Sequence, residues 1–273
     1  MSSCINFALS PCPNDVFIIS GILLNKISTN LIWNFTFEDI ETLNKWAIEK
    51  DFDLIKCSFG IWDLIYKDYL LLPVGAALGF GVGPILVGKE NYDKNVFPRL
   101  KIGIPGKHTT AHCLFNFYYS GKINKLFLRY DEIIPALLND IINIGILIHE
   151  GRFIYQKKGL IKIEDLGEYW EKNTGAPLPL GGFFIKRSLS YLGTLVTEDL
   201  RKSLDWAWKH FDETIPLLKK YAIELDKEVI KSHVKTFVTE FTYNIFKDEA
   251  LKGIKSFLEI FKLDVSLEDL LWG

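Results

Sequence analysis

Short apolar runs alternate with helix-like segments through the first two thirds of the chain, and this alternation restricts the possible fold most. Runs such as Ile5 to Leu9 and Ile142 to Ile148 have the length and apolar content of buried strands, and 127–130 is a further candidate strand. Between such runs, segments such as 110–119 carry apolar residues at helical spacing. From Thr197 onward the pattern changes, because apolar residues recur at intervals of three and four, as at Leu200, Leu204, Trp208, Phe211, Ile215 and Leu218. The pattern predicts an α/β fold whose last third is helical.

Two stretches rich in glycine and proline, 75–87 and 175–185, interrupt a chain that has no polar linker. A chain of 273 residues is long enough to hold two hydrophobic cores. Because glycine permits close backbone approach, we expect the chain to cross between two domains at these stretches. Residues 1–88 and 181–273 would then form one domain, with 89–180 inserted as the second. A ligand would occupy the central cleft between them.

Charge and hydropathy exclude several partners. The chain has 32 basic and 34 acidic residues and no visible stripe of Lys and Arg, so nucleic acid is not an expected partner. The longest apolar stretch, 69–87, is interrupted by Pro73 and Pro84, which argues against a membrane-spanning helix and a membrane partner. Residues 1–6 lack the basic and apolar regions of a secretory signal. We therefore expect a cytoplasmic protein.

Motifs for metals and dinucleotides are incomplete. His108 and His112 have the spacing of a zinc-binding helix, but Thr109 replaces the catalytic glutamate of that motif. The glycines of 79–83 are followed by Pro84 where a dinucleotide motif needs its third glycine. The cysteines lack CxxC spacing, which predicts reduced, mostly buried thiols at Cys4, Cys12, Cys57 and Cys113. Neither a metal nor a cofactor is expected.

Polar residues follow two of the predicted strands. The loop 10–15 follows the first strand, begins a helix and contains Asn14. Lys56, Cys57 and Ser58 end another short strand. Because ligands of open α/β sheets gather beyond the carboxyl ends of strands, we expect these residues to face one cleft. A buried Ser58 that only bonds the backbone is the alternative.

The segment 103–110 combines a strand end, a Pro-Gly turn and the start of a helix. Unpaired amides and the positive end of the helix dipole attract anions at such a position. The hydroxyls of Thr109 and Thr110 add hydrogen-bond donors there. Alternatively, one of these threonines only caps the helix.

His149 follows the apolar strand 142–148 and precedes a charged turn. An imidazole at a strand end suits a general base or acid, and its ordinary pKa predicts a rate that rises with pH near neutrality. A structural histidine is the alternative. For Glu150 and Arg152 of the turn, the alternative is that they only pair with each other. His210 and His233, among lysines of the helical tail, are interpreted as surface residues.

Several of these segments together resemble the 1,4-dihydroxy-6-naphthoate synthase family, which belongs to the futalosine route to menaquinone. The resemblance is carried by segments in the family's order at 10–15, 56–58, 75–84, 103–111, 148–152 and 177–182. Val82 departs from the small residue or cysteine of the family pattern. The helical tail resembles the family only in character.

The resemblance implies a two-domain fold like that of type II periplasmic binding proteins and a lyase acting on cyclic dehypoxanthine futalosine. It implies that His149 accepts a proton, after which a carbon–carbon bond breaks in retro-aldol fashion and the product ring becomes aromatic. No cofactor or metal is implied. Substrate contacts are implied for Lys56, Cys57, Ser58, Thr109 and Thr110, and Asn14 is a further candidate from its loop.

Two other functions fit the same fold. The sister enzyme of the route removes water from chorismate, but the His-Glu-Gly-Arg segment at 149–152 is not expected there. A non-catalytic binding protein for an aromatic carboxylate would bind without turnover. Fold similarity alone does not separate these functions, and the sequence leaves the oligomeric state open.

Overall fold

The computed structural model describes residues 3–222, 226–262 and 265–273. Its strands follow the predicted alternation with helices. They are β1 (Cys4–Leu9), β2 (Ile32–Phe37), β3 (Leu54–Ser58), β4 (Tyr69–Leu71), β5 (Ala77–Gly79), β6 (Ile85–Gly88), β7 (Lys101–Ile104), β8 (Asn124–Phe127), β9 (Ile144–Leu147), β10 (Ile161–Asp165) and β11 (Leu178–Lys186).

The helices are α1 (Pro13–Leu23), α2 (Ile40–Glu49), α3 (Trp62–Ile65), α4 (Thr110–Tyr118), α5 (Ile133–Leu138), α6 (Gly151–Ile154), α7 (Leu166–Thr174), α8 (Gly193–Lys209), α9 (Phe211–Tyr221), α10 (Lys227–Phe237), α11 (Glu240–Tyr243), α12 (Asp248–Ile260) and α13 (Leu267–Leu270). From α8 onward the described chain is helical, apart from an isolated bridge at Leu271. The predicted α/β class and helical C-terminal segment are thus confirmed. Within the ranges described, no helix has both the length and the apolar character needed to cross a bilayer.

The strands form two sheets, and we call each sheet with its helices a lobe. The first sheet has the order β2-β1-β3-β11-β4, with β5 also paired to β11. The second has the order β10-β6-β9-β7-β8. In each sheet three strands are parallel neighbours, namely β2, β1 and β3 in the first and β8, β7 and β9 in the second. Their carboxyl ends supply the polar residues described below.

The chain passes between the lobes at both glycine-rich stretches. β5 pairs in the first sheet and β6 in the second, and the return connection lies between β10 and β11. A Cβ at Gly83, in the first connection, would lie 2.2 Å from Cα of Gly167, so a larger residue would collide with the backbone of α7. The division at 89 and 180 stays a prediction.

Apolar packing fixes the position of α1 beside the cleft. α1 is apolar on nearly all sides, and its residues from Pro13 to Ile22 are buried, as expected for a helix surrounded by other elements. It packs between the first sheet and the tail helices α8, α9 and α10. Pro13 occupies the first turn, where a missing N–H costs nothing. The start of α1 is therefore held rigidly at the end of β1.

Two local predictions are wrong. The strand expected at 127–130 lies at Asn124–Phe127, and Tyr130 begins a 3₁₀ turn. β10 was not among the predicted strands; it pairs with β6 at the edge of the second sheet. β8 and β10 are the two edge strands of the second sheet, and most of their residues are exposed or half-buried, so their apolar signal is weak.

Candidate functional site

A cleft between the lobes collects the ends of several elements. Its apolar wall includes Ile40, Val82, Ile148, Leu180 and Phe237. Its polar residues are Ser10, Asn14, Asp15, Lys56, Ser58, Thr109, Thr110, His149, Arg152 and His233. Of the residues predicted from the sequence, all but Cys57 line this cleft.

Cys57 lies in the apolar core instead of the cleft. Successive side chains of β3 point to opposite faces of the sheet, so Cys57 points away from Lys56 and Ser58. It is fully buried among residues of the core, and burial raises the pKa of its thiol well above the usual value. Ser58 is held by Asn44, whose amide donates to Ser58 Oγ at 3.0 Å and whose Oδ1 accepts from Ser58 N at 2.8 Å.

A buried ion pair forms the floor of the cleft. Lys56 Nζ lies 3.3 Å from Asp15 Oδ1, and the two side chains are 6% and 2% exposed. Lys56 Nζ also donates to the Gly75 carbonyl at 3.4 Å. Asp15 accepts further hydrogen bonds from Ser10 Oγ at 2.6 Å and Asn14 Nδ2 at 2.8 Å. These bonds offset part of the cost of removing both charges from water.

His149 combines strained backbone with an unsatisfied ring nitrogen. Its φ is +52°, a left-handed conformation that few residues other than glycine adopt. Nδ1 lies 3.1 Å from Cys12 Sγ, and the ring packs edge-on against Tyr130 at a centroid distance of 4.9 Å. The side chain is half-buried, but its Nε2 is inaccessible and has no hydrogen-bond partner among the residues described. Strain of this kind is frequent at functional sites.

Burial decides the charge of His149. Burial and the nearby positive charge of Lys56, against a smaller opposing effect of Asp39, together lower the pKa of its imidazole to about 4. The imidazole is therefore neutral at neutral pH. Burial also raises the pKa of the Cys12 thiol well above its ordinary value, so the sulfur next to Nδ1 is a thiol.

The threonines lie at the start of α4, and their hydroxyls are already engaged. Thr109 caps the helix, accepting from His112 N at 3.3 Å and donating to the Gly106 carbonyl at 3.1 Å. Thr110 Oγ1 accepts from Gly60 N at 3.1 Å and donates to the Leu180 carbonyl at 2.7 Å. Thr110 thus joins α4 to the first lobe. The donors left for an anion are the backbone amides of the first turn.

Four cleft residues were not predicted from the sequence. Ser10 and Asp15 flank Asn14 in its loop, and Arg152 belongs to the segment that carries His149. Arg152 donates to the Gly83 carbonyl and lies 3.7 Å from Asp165 Oδ2, so the alternative of a pair with Glu150 is wrong. Asp165 is the last residue of β10 and the N-cap of α7, so this ion pair lies within the second lobe.

The fourth, His233, was predicted at the surface and is instead fully buried in the cleft wall. It lies on the same face of α10 as Ile230 and Phe237, three and four residues away, and this spacing could have indicated burial. The companion prediction for His210 is confirmed, since that side chain is exposed and bonds Glu213 at 2.9 Å.

The histidines of the incomplete zinc motif have other partners. His108 Nδ1 lies 2.8 Å from Glu41 Oε1. His112 Nδ1 lies 2.8 Å from the Lys107 carbonyl, and its Nε2 accepts from Lys125 Nζ at 2.9 Å. Across the described ranges, no group of three or more His, Cys, Asp or Glu side chains is placed to hold a metal ion.

The two lobes and the cleft between them define a protein with the fold of periplasmic binding proteins. The aliphatic sulphonate binding protein SsuA of Escherichia coli superposes with a TM-score of 0.65 at 12% identity, covering 100% of this chain and 93% of that one. A crystal structure of an Archaeoglobus fulgidus protein superposes with a TM-score of 0.90 at 30% identity, covering 95% and 97% of the two chains. The predicted fold is therefore confirmed.

Sequence comparison identifies the family to which the chain belongs within this fold class. A family model described as menaquinone biosynthesis matches residues 5–262. The 1,4-dihydroxy-6-naphthoate synthase of Thermus thermophilus is 36% identical over 242 residues, 88% of each chain. That of Streptomyces coelicolor is 33% identical over 258 residues, 92% of this chain and 91% of that one. The chain belongs to the 1,4-dihydroxy-6-naphthoate synthase family of menaquinone biosynthesis, as its motifs predicted.

Proposed function

We propose that this protein is a carbon–carbon lyase that converts cyclic dehypoxanthine futalosine to 1,4-dihydroxy-6-naphthoate, with His149 as the general base. The observation that carries the proposal is the buried Nε2 of His149, which has no partner in the described chain and belongs to a cleft-lining residue. The family and the names of its relatives support the product. Cleavage chemistry and the cytoplasmic location are part of the proposal.

Proton acceptance at Nε2 of His149 requires the tautomer that is protonated on Nδ1. A neutral imidazole carries one proton, and in this tautomer Nδ1 would donate it to Cys12 Sγ, which lies 3.1 Å away. The lone pair is then on Nε2, where it can accept a proton from the substrate. Catalytic histidines are usually positioned in this way, because a hydrogen bond to one ring nitrogen orients the other.

Lys56 is suited to stabilise the oxyanion that forms as the carbon–carbon bond breaks. An ammonium group has three donors, and Asp15 and the Gly75 carbonyl take two of them. The third remains for an oxygen that gains negative charge in the transition state. A fixed donor in a site that excludes water stabilises such charge more strongly than water does.

The amides at the start of α4 are suited to bind the substrate carboxylate. The helix dipole favours an anion there, and Thr109 and Thr110 hold the first turn in place. Because both hydroxyl protons are donated to carbonyls, the threonines would act mainly through the backbone they position. Their contact with substrate stays a prediction.

Replacing both Thr109 and Thr110 with valine should weaken binding of 1,4-dihydroxy-6-naphthoate by about 1–3 kcal/mol, since the cap and the tie to the first lobe are lost. The double serine variant keeps both hydroxyls and should bind like the wild type. Calorimetric titration of both variants measures the difference. Unchanged affinity in a folded valine variant would mean that Thr109 and Thr110 only cap the helix and do not support binding.

In the pH profile of kcat/KM, the acidic limb should lie near pH 4 and not near neutrality. Imidazole accepts a proton only above its pKa, and burial lowers the pKa of His149 to about 4. The rate should therefore be flat through neutrality and fall about tenfold per pH unit below the limb. Circular dichroism at each pH controls for acid unfolding. A limb near 6.5 that persists in a His149→Asn variant would assign the proton transfer to another group.

Naphthoate formation from purified protein and cyclic dehypoxanthine futalosine, followed by absorbance, tests the function directly. Turnover of that substrate with none of chorismate is expected. Binding of the naphthoate without turnover would instead indicate a non-catalytic binding protein, and loss of water from chorismate would indicate the sister enzyme.

A further inference from the structure

His233, which lines the cleft, has a second unsatisfied ring nitrogen. The residue is fully buried on α10, and its ring packs against Phe153 and Phe237 at centroid distances of 5.9 and 4.7 Å. Nε2 lies 3.0 Å from Asn14 Oδ1. Nδ1 is buried and has no hydrogen-bond partner in the described part of the chain. His233 lines the same cleft as His149.

A chain of hydrogen bonds determines the tautomer of His233. Asp15 is paired with Lys56, so its carboxylate only accepts, and Asn14 must direct its NH₂ group to it at 2.8 Å. The amide oxygen of Asn14 then faces His233 and accepts its Nε2 proton. A neutral imidazole has no second proton, so Nδ1 carries a lone pair.

The environment keeps His233 neutral and excludes a cationic partner. Burial lowers the pKa of its imidazole, and positive charge on His149 or Arg152 lowers it further. Arg152 is occupied by the Gly83 carbonyl and by Asp165. A second cation in this cleft would be repelled by Lys56 and Arg152, whereas a carboxylate offers no proton. The complementary group is a neutral donor such as a hydroxyl.

We infer that His233 Nδ1 accepts a hydrogen bond from a hydroxyl group of the bound substrate, and that Asp15 and Asn14 hold it in the accepting tautomer. A buried lone pair without a donor costs free energy, and the ligand hydroxyl removes that cost on binding. The inference rests on the proposed function for the identity of the ligand. Two hydroxyl sources share this chemistry, the dihydroxynaphthoate ring and the sugar-derived part of the substrate.

Two substitutions separate the nitrogens of His233. Glutamine reaches about as far as Nε2 and can still donate to Asn14, but it removes the acceptor at Nδ1. Asparagine reaches about as far as Nδ1 and keeps an acceptor there, but it cannot reach Asn14. The inference predicts that His233→Gln weakens hydroxyl recognition by about tenfold to a hundredfold and that His233→Asn retains most of it.

Two ligands test whether the hydroxyl that His233 binds belongs to the naphthoate ring. They are 1,4-dihydroxy-6-naphthoate and 2-naphthoate, and the second lacks both ring hydroxyls. If the ring hydroxyl is bound, His233→Gln loses affinity for the first ligand and not for the second. If the sugar-derived hydroxyl is bound, the KM for cyclic dehypoxanthine futalosine rises while product affinity is unchanged. Either pattern supports the inference.

Three results would overturn it: normal product affinity and normal KM in His233→Gln, equal loss of affinity for both naphthoates, or loss confined to His233→Asn. The last two would show that His233 only supports Asn14 or the cleft wall. If the glutamine variant does not fold, nuclear magnetic resonance of the wild type provides the test. The nitrogen-15 resonance of His233 Nδ1 should shift when product or substrate is added. No shift with either ligand would refute the contact. Failure of the proposed function is separate, because wild-type protein would then form no naphthoate.

Discussion

Replacing His149 with asparagine is expected to lower turnover of cyclic dehypoxanthine futalosine by about 10²–10⁴-fold while the variant still binds the naphthoate. Proton transfer contributes in the transition state, whereas the proposed carboxylate contacts at the start of α4 already form in the ground state. Asparagine is the suitable replacement because it tolerates the left-handed φ of +52° better than most residues. Steady-state rates and product titration measure the two effects.

His210→Asn is the matched control, since His210 is exposed and bonds only Glu213 among the described residues. It should leave turnover and binding unchanged. Near-normal turnover in His149→Asn would mean that His149 is structural. Equal losses of binding and turnover would mean that it contacts substrate without accepting its proton.

Breaking the Lys56–Asp15 pair is expected to have the largest effect on stability. Lys56→Met leaves the Asp15 carboxylate buried without its cation, and removing one partner of a buried pair costs about 3–5 kcal/mol. Urea unfolding at neutral pH measures the free energy of unfolding. The variant should also lose turnover, because the oxyanion would lose its ammonium donor.

The exposed pair Lys50–Asp68 is the control. Its atoms lie 3.0 Å apart with side chains 56% and 34% exposed, so Lys50→Met should cost at most about 1 kcal/mol. The double variant Lys56→Met, Asp15→Asn removes both charges and should recover part of the stability but none of the activity. A single Lys56→Met variant as stable as the control would contradict a buried charge pair at the cleft floor.

Residues whose position follows from local pattern were predicted well. Strand ends locate Lys56, Ser58 and His149 because, in an α/β sheet, the polar residue after an apolar strand emerges at one edge. Thr109 was recognised as a possible cap from a strand, turn and helix start in sequence order. The family followed from motifs in register, and two independent comparisons confirmed it.

Residues whose position depends on contacts between distant segments were not predicted. His233 was placed among surface lysines, yet α10 packs on α1 and buries it beside Asn14, 219 positions away in the chain. The partner of Arg152 is Asp165 and not its neighbour Glu150, because the fold of the second lobe brings Asp165 Oδ2 to 3.7 Å from the guanidinium. Sequence spacing contains no information on such pairings.

The sequence by itself determined the α/β class, the family and the positions at which polar residues leave the strands, because these depend on periodicity and short motifs. Only the tertiary structure decided which side chains share the cleft, that Cys57 faces the core, and that His149 has a pKa of about 4. Burial and the orientation of hydrogen bonds arise when segments distant in sequence pack together. The acid–base character of both cleft histidines is therefore a property of the folded protein.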